Sequence, residues 1–231
     1  MKWARKIKEM IRSKRSRKNV DGKMDVIEET NIKPFPINFY FKALVIADGH
    51  GCLDSNDIPD CSVDACLLLG DLSPREIEII KKRMKGTPIY GVLGNHDVFD
   101  LYDRCGVENI HGKVVEVNGI RLAGIQGSLR YKDSDMPLYT DKESVEIAEK
   151  MNAANILISH DSPKHFHCNE SLAHSGLQGI TRYCEKHSVP LNIHGHFHEN
   201  AIGALGNGTN VICCYGAQIV EITPSGISIN R

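Results

Sequence analysis

Several absences narrow this chain before any motif is considered. No apolar run approaches the roughly 20 residues that span a bilayer, so no membrane-crossing helix is expected. The N-terminus is basic but lacks the apolar centre of a secretory signal, and no secretion is expected. No two of the eight cysteines (52, 61, 66, 105, 168, 184, 213, 214) stand at CxxC spacing, which argues against a cysteine zinc site. Some of them, such as Cys66 and the adjacent Cys213 and Cys214, fall inside apolar runs and read as small buried hydrophobes. With the missing signal, that usage points to a cytoplasmic, reducing location. There is no internal repeat. The formal net charge of −1 and ordinary aliphatic content exclude disordered and fibrous classes.

What remains is 231 residues, enough for one domain with a substantial core plus an appendage. The charge divides it. Residues 1–20 hold nine Lys/Arg against the single acid Glu9, whereas the rest carries 19 basic and 28 acidic residues. At the start, Trp3, Ile7, Met10 and Ile11 share one helical face among cations. Such a helix suits a membrane surface or nucleic acid; the plainer reading, which we favour, is a solvated basic tail. Residues 19–36 are polar with two prolines. The expected organisation is a basic segment and linker over 1–36 and a globular domain over 37–231.

Within the domain, strand and helix patterns alternate. Phe41–Ala47 and residues 65–69 are continuous apolar runs of strand length, the mark of strands buried on both faces. Ser73-Pro74-Arg75-Glu76 is a capping box opening a helix with Ile77, Ile80 and Met84 on one face, and Gly86 ends it. Residues 88–93 form a third strand, with a short helix after Asp97. Asn118-Gly119 joins residues 113–117 and 120–125 into a hairpin. Thr140-Asp141-Lys142-Glu143 caps a second helix. Residues 155–159 and 191–193 are strands flanking a helix over 177–186. Residues 211–215, 218–222 and 227–229 are expected as closing antiparallel strands. The pattern predicts an α/β domain with two packed mixed β-sheets.

Five apolar runs end in the same kind of residue. Phe41–Ala47 leads to Asp48-Gly49-His50, and residues 66–69 lead to Gly70-Asp71. Residues 89–93 lead to Gly94-Asn95-His96-Asp97, residues 156–159 to His160, and residues 191–193 to Gly195-His196-Phe197-His198. In open α/β sheets, ligands bind beyond the carboxyl ends of strands. Each piece alone has a plainer explanation: Asp48 and Asp71 as turn caps, Asn95 as a left-handed turn residue, His160 as a core histidine. Those explanations fail jointly, because unrelated turns would not produce this mixture. Imidazoles, carboxylates and one amide oxygen without thiolate favour Mn²⁺, Fe²⁺ or Zn²⁺ over a closed structural zinc. Seven ligands are too many for one ion with an open position. They suffice for two ions sharing a carboxylate, the arrangement that clamps a phosphoryl group.

The five ordered motifs, from about residue 44 to 198, resemble those of the calcineurin-like metallophosphoesterases. The resemblance implies a four-layer αββα sandwich with two divalent metal ions at one edge, most readily Mn²⁺. It places Asp48, His50 and His198 on the first metal, Asn95, His160 and His196 on the second, and Asp71 between them. It makes His96 a donor to a phosphate oxygen or leaving group, with Asp97 orienting its ring. Two stretches depart from the usual pattern: Leu72-Ser73-Pro74 follows Asp71 where another acid is common, and Asp161-Ser162 follows His160. The implied reaction is hydrolysis of a small-molecule phosphate mono- or diester by metal-bound hydroxide. The alternatives are a nuclease helped by the basic N-terminus and a non-catalytic scaffold. Of the remaining histidines, His165, His167, His174 and His187 are expected at the surface, His194 in the core or behind the site, and His111 in a loop. Arg130 and Tyr131 are possible substrate contacts in a polar loop.

Overall fold

Period-two alternation explains the architecture, and β1 (Phe41–Ala47) shows it most plainly. Ala43, Val45 and Ala47 enter one apolar cluster while Leu44 and Ile46 enter another. The computed structural model describes residues 32–167 and 171–230. The basic segment 1–31, with the helix and nucleic-acid or membrane contacts considered for it, lies outside the described residues, as does Cys168.

After β1 come β2 (Ala65–Leu68), α1 (Pro74–Arg83), β3 (Ile89–Gly91), α2 (Leu101–Cys105) and β4 (Glu108–Asn109). The hairpin β5 (Val114–Val117) and β6 (Ile120–Ile125) follows, then β7 (Ser128–Leu129), β8 (Leu138–Tyr139), α3 (Asp141–Lys150) and β9 (Ile156–Ser159). The chain continues through α4 (Gln178–His187), β10 (Leu191–His194), β11 (Ala201–Ala204), β12 (Asn210–Cys213), β13 (Gly216–Thr223) and β14 (Gly226–Asn230). One six-stranded sheet has the order β14-β13-β1-β2-β3-β4, and the other β11-β12-β10-β9-β6-β5.

The core between the sheets takes Val45 and Leu67 from the first, and Leu122, Ile158 and Ile193 from the second. Outside the first sheet, Leu44, Ile46 and Leu68 pack on Ile77 and Ile80 of α1 and Tyr102 of α2. Outside the second, Ala123 and Leu157 pack on Ala148 of α3 and on Ile180 and Tyr183 of α4. Four layers result, helices–sheet–sheet–helices, as expected. Each fully buried Leu or Ile contributes about 1.5–3 kcal/mol. Both capping boxes form, with Ser73 and Thr140 accepting from Glu76 and Glu143 backbone N–H groups. Asn118 and Gly119 adopt φ of 51° and 80°, the left-handed pair that a tight hairpin turn requires.

One topological expectation is corrected. β12 pairs antiparallel with β11 but parallel with β10. The unanticipated strand β11 is the cause: it reverses the chain once after β10, so β12 returns in the direction of β10. Parallel pairing of β1 with β2, β2 with β3 and β9 with β10 directs the carboxyl ends within each sheet the same way, and the loops beyond them meet at one edge, Asp48 against His196.

Candidate active site

The loops at that edge are interlocked by backbone. Asp48 N–H donates to Gly70 O at 3.1 Å, His50 N–H to Asp71 O at 3.0 Å, and Gly195 N–H to His160 O at 3.0 Å. Side chains then bridge the sheets. The carboxylate of Asp48 accepts from His196 N–H at 2.8 Å. His160 Nδ1 lies 2.7 Å from Leu69 O.

Five of these residues hold left-handed backbone: Asp48, His50, Asp71, His196 and His198, with φ between 48° and 70°. That conformation is uncommon outside glycine, and its strain concentrates where side chains must be aimed. Close approach matters as much. A Cβ on Gly94 would fall on the Asp71 carboxylate, and one on Gly70 would fall on the Gly94 backbone.

The geometry gathers two sets of ligand-type atoms. Asp48, His50 and His198 offer donors within 4.8 Å of one another, as do Asp48, Asp71 and His160. His50 Nε2 and His198 Nε2 are 3.2 Å apart. Asp71 Oδ2 sits 3.8 Å from His50 Nε2 and 3.7 Å from His160 Nε2. Asn95 Oδ1 is 2.8 Å from His160 Nε2. His196 stacks near His160, with ring centroids 4.8 Å apart, and its Nε2 lies 2.8 Å from Ala173 O. A carbonyl only accepts, so that bond commits Nε2–H and leaves the lone pair on Nδ1. The same argument leaves the lone pair of neutral His160 on Nε2. Asp48, Asp71, Asn95, His160 and His196 are buried, whereas His50, His96 and His198 are exposed and form an open mouth. His96 stands beside His50, ring centroids 5.6 Å apart.

The electrostatics favour a cation. Asp48 Oδ1 is buried without a hydrogen-bond partner among the described residues, 3.7 Å from His198 Nε2. Burial pushes the Asp48 carboxyl up and Asp71 adds to this, against the pull of His160. Burial alone would lower His160, but Asp71 and Asp48 outweigh it and raise its pKa. Burial drives His196 down to about 2, so its imidazole is neutral and available as a ligand.

A sequence model of the calcineurin-like phosphoesterases matches residues 41–200. The chain belongs to this family. An uncharacterized protein of Haemophilus influenzae is 28% identical over 196 residues, spanning 68% of this chain and 83% of its own. The fold is similar to the crystal structure of TT1561 of Thermus thermophilus, with a TM-score of 0.59 at 14% identity over 84% of this chain and 99% of that one. It is also similar to the phosphopantetheinyl hydrolase PptH from Mycobacterium tuberculosis, with a TM-score of 0.54 at 12% identity over 76% and 89% of the chains. At those identities the likeness is one of fold. Calcineurin-like phosphoesterases depend on metal ions, and the donor groups gathered here fit that requirement.

Two buried carboxylates do more than their sequence reading assigned. Among the described residues, Asp97 makes no hydrogen bond to the His96 ring. Its oxygens accept from Asp71 N–H (2.9 Å), Gly94 N–H (2.7 Å) and Leu72 N–H (3.2 Å), so it holds the two ligand turns together. Glu76, read as half of a capping box, also accepts from Gly51 N–H and Leu53 N–H at 2.9 Å each, fixing the turn after Asp48. The departures from the family pattern have structural work to do. Ser73 caps α1, and the fully buried Asp161 accepts from Ser162 N–H (2.8 Å) and Leu129 N–H (3.3 Å).

His165 is exposed as expected, but His167, His174 and His187 are half-buried. His174 stacks on His196 at 4.7 Å, and Tyr215 stacks on His198 at 5.1 Å. Neither neighbour has a sequence signature, since their contacts arise from a distant helical turn and from the loop between β12 and β13. His111 bridges to Gly124, and its Nδ1 accepts from Gln126 N–H. Arg130 is tied to Glu143 and Leu138 O.

Proposed function

We propose that this chain is a dinuclear, metal-dependent hydrolase of phosphate mono- or diesters. The supporting observation is the position of Asp71 Oδ2, between His50 Nε2 and His160 Nε2 at nearly equal distances. In this reading Asp48, His50 and His198 hold one ion, Asn95, His160 and His196 the other, and Asp71 serves both. Imidazole, carboxylate and amide donors suit Mn²⁺, with Fe or Zn as further possibilities. When bound, such a pair supplies Lewis-acid neutralisation of phosphoryl oxygens and a water acidic enough to act as nucleophile near neutral pH.

The chain's own residues do the rest. Asp48 Oδ1 stays available because its other oxygen is occupied by His196 N–H. Asp71 Oδ1 accepts from His96 N–H at 2.9 Å, which fixes the backbone that carries the His96 imidazole. That imidazole, exposed beside His50, is placed to donate a proton to a phosphate oxygen or the leaving alkoxide. The mouth is open to solvent, which suits small phosphoesters. A reducing cytoplasm, expected from cysteine usage, belongs to the same proposal.

Purified full-length protein with added Mn²⁺ should hydrolyse p-nitrophenyl phosphate or bis-p-nitrophenyl phosphate. His96→Ala should keep its metal content and lose about 10²–10⁴-fold in turnover. Protein that binds two equivalents of metal but leaves a panel of mono-, di- and cyclic phosphoesters intact would instead be a scaffold.

A further inference from the structure

A second group of ligand-type side chains lies behind the turn that presents His196 and His198. His167, His194 and Cys213 bring one nitrogen of each ring and Sγ within 4.8 Å of one another, and the two Nε2 atoms are 3.2 Å apart. Sheet register accounts for two of them. His194 ends β10, Cys213 ends β12, and the two are Cα partners in parallel strands. Their side chains therefore leave the same face side by side, and both residues are fully buried. His167 arrives from the segment after β9, its ring stacked on Phe197 with centroids 3.8 Å apart.

Each ring also meets an oxygen at its Nδ1. His194 Nδ1 is 2.9 Å from Gly195 O, and a carbonyl can only accept. His167 Nδ1 lies 3.1 Å from Glu199 Oε1 as an ion pair. The two Nε2 atoms face each other across 3.2 Å, a separation at which they can share a proton or a metal ion. The spacing matches the separation of about 3.3 Å expected for two nitrogens bound at about 2.05 Å to a tetrahedral zinc. Carboxylate- and carbonyl-backed imidazoles are the usual partners of such an ion.

We propose that His167, His194 and Cys213 are the three protein ligands of a Zn²⁺ site that pins the Gly195–His198 turn from behind, water completing the tetrahedron. The proposal stands independently of the phosphoesterase reading, because it uses none of the same side chains. Sulfur distinguishes the two sites: a thiolate selects zinc, whereas the sulfur-free constellation around Asp71 suits harder ions. Binding releases the Cys213 thiol proton to solvent. Phe197, whose ring covers His167 and lies 5.5 Å from His196, transmits the restraint to the mouth. The absence of CxxC spacing hides this site in the sequence, because its donors come from three separate segments.

Cobalt titration of metal-free, full-length protein tests the proposal. One equivalent of Co²⁺ should produce a near-ultraviolet thiolate-to-cobalt charge-transfer band, and Zn²⁺ should abolish it stoichiometrically. Cys213→Ser should lose the band. His167→Ala, which alters a half-buried position, should keep its circular dichroism and lose the band as well, so it decides the matter should the serine variant fail to fold. His198→Ala should retain the band, since that residue belongs to the other constellation. The proposal is overturned if wild-type protein shows no such band, the two imidazoles then sharing a proton. It is equally overturned if the band survives Cys213→Ser, as one arising from exposed Cys52 beside His50 would.

Discussion

Replacing Asp97 with asparagine separates two accounts of this residue. If it acted through His96, Asp97→Asn should resemble His96→Ala, with turnover lost and stability kept. The hydrogen bonds predict otherwise. One oxygen accepts from Asp71 and Gly94 N–H at 2.9 and 2.7 Å, the other from Leu72 N–H at 3.2 Å. An amide that keeps its oxygen on the first pair turns its NH₂ toward the Leu72 donor. One charge-assisted bond, worth about 1.5–3 kcal/mol, is lost, and two others fall to neutral strength of about 0.5–1.5 kcal/mol each. Relief of carboxylate burial offsets part of this, because burial already pushes the Asp97 carboxyl up. A net cost of about 2–3 kcal/mol follows, which lowers Tm by roughly 5–10 °C for a domain of this size. Because the Asp71 turn shifts, Mn²⁺ affinity should fall about 10–100-fold. Thermal melts and metal titration of Asp97→Asn beside His96→Ala measure both effects. An unchanged melt and unchanged metal affinity, with turnover lost, would refute the positioning role.

Other consequences can be checked in parallel. Gly94→Ala puts a methyl group on the Asp71 carboxylate and should strip metal while costing about 1–3 kcal/mol; full metal content by elemental analysis would contradict the packing argument. Mn²⁺ at about 100 times its dissociation constant should stabilise by about 2.7 kcal/mol per site, raising Tm by roughly 5–10 °C, and EDTA should reverse this in differential scanning calorimetry. Burial pushes the His111 imidazole down to about 4 from its ordinary value near 6.5. Between those values the unfolded chain binds a proton that the folded one refuses, so stability falls as pH drops through the window. His111→Asn, which keeps an acceptor for Gln126 N–H, should flatten that slope in urea melts, removing up to about 3 kcal/mol of the acid loss.

The sequence by itself determined the layers and the motif order. Runs buried on both faces, two capping boxes and an Asn-Gly turn are local signals, and the structure follows them because local preference and burial agree there. The five strand-end motifs were legible for the same reason, since a strand's carboxyl end carries its next residues to one edge. Tertiary structure decided what depends on register and on distant partners. β11, and with it the parallel course of β12, has no marker in its short Ala201–Ala204 run. Asp97 looks like a ring-orienting acid and Glu76 like a capping residue, which it is; both also accept from backbone donors that only folding brings near. His167, His194 and Cys213 are far apart in the chain and meet only because β10 and β12 pair side by side. Periodicity reports which face a side chain occupies; only the packed sheets decide whose side chain it meets there.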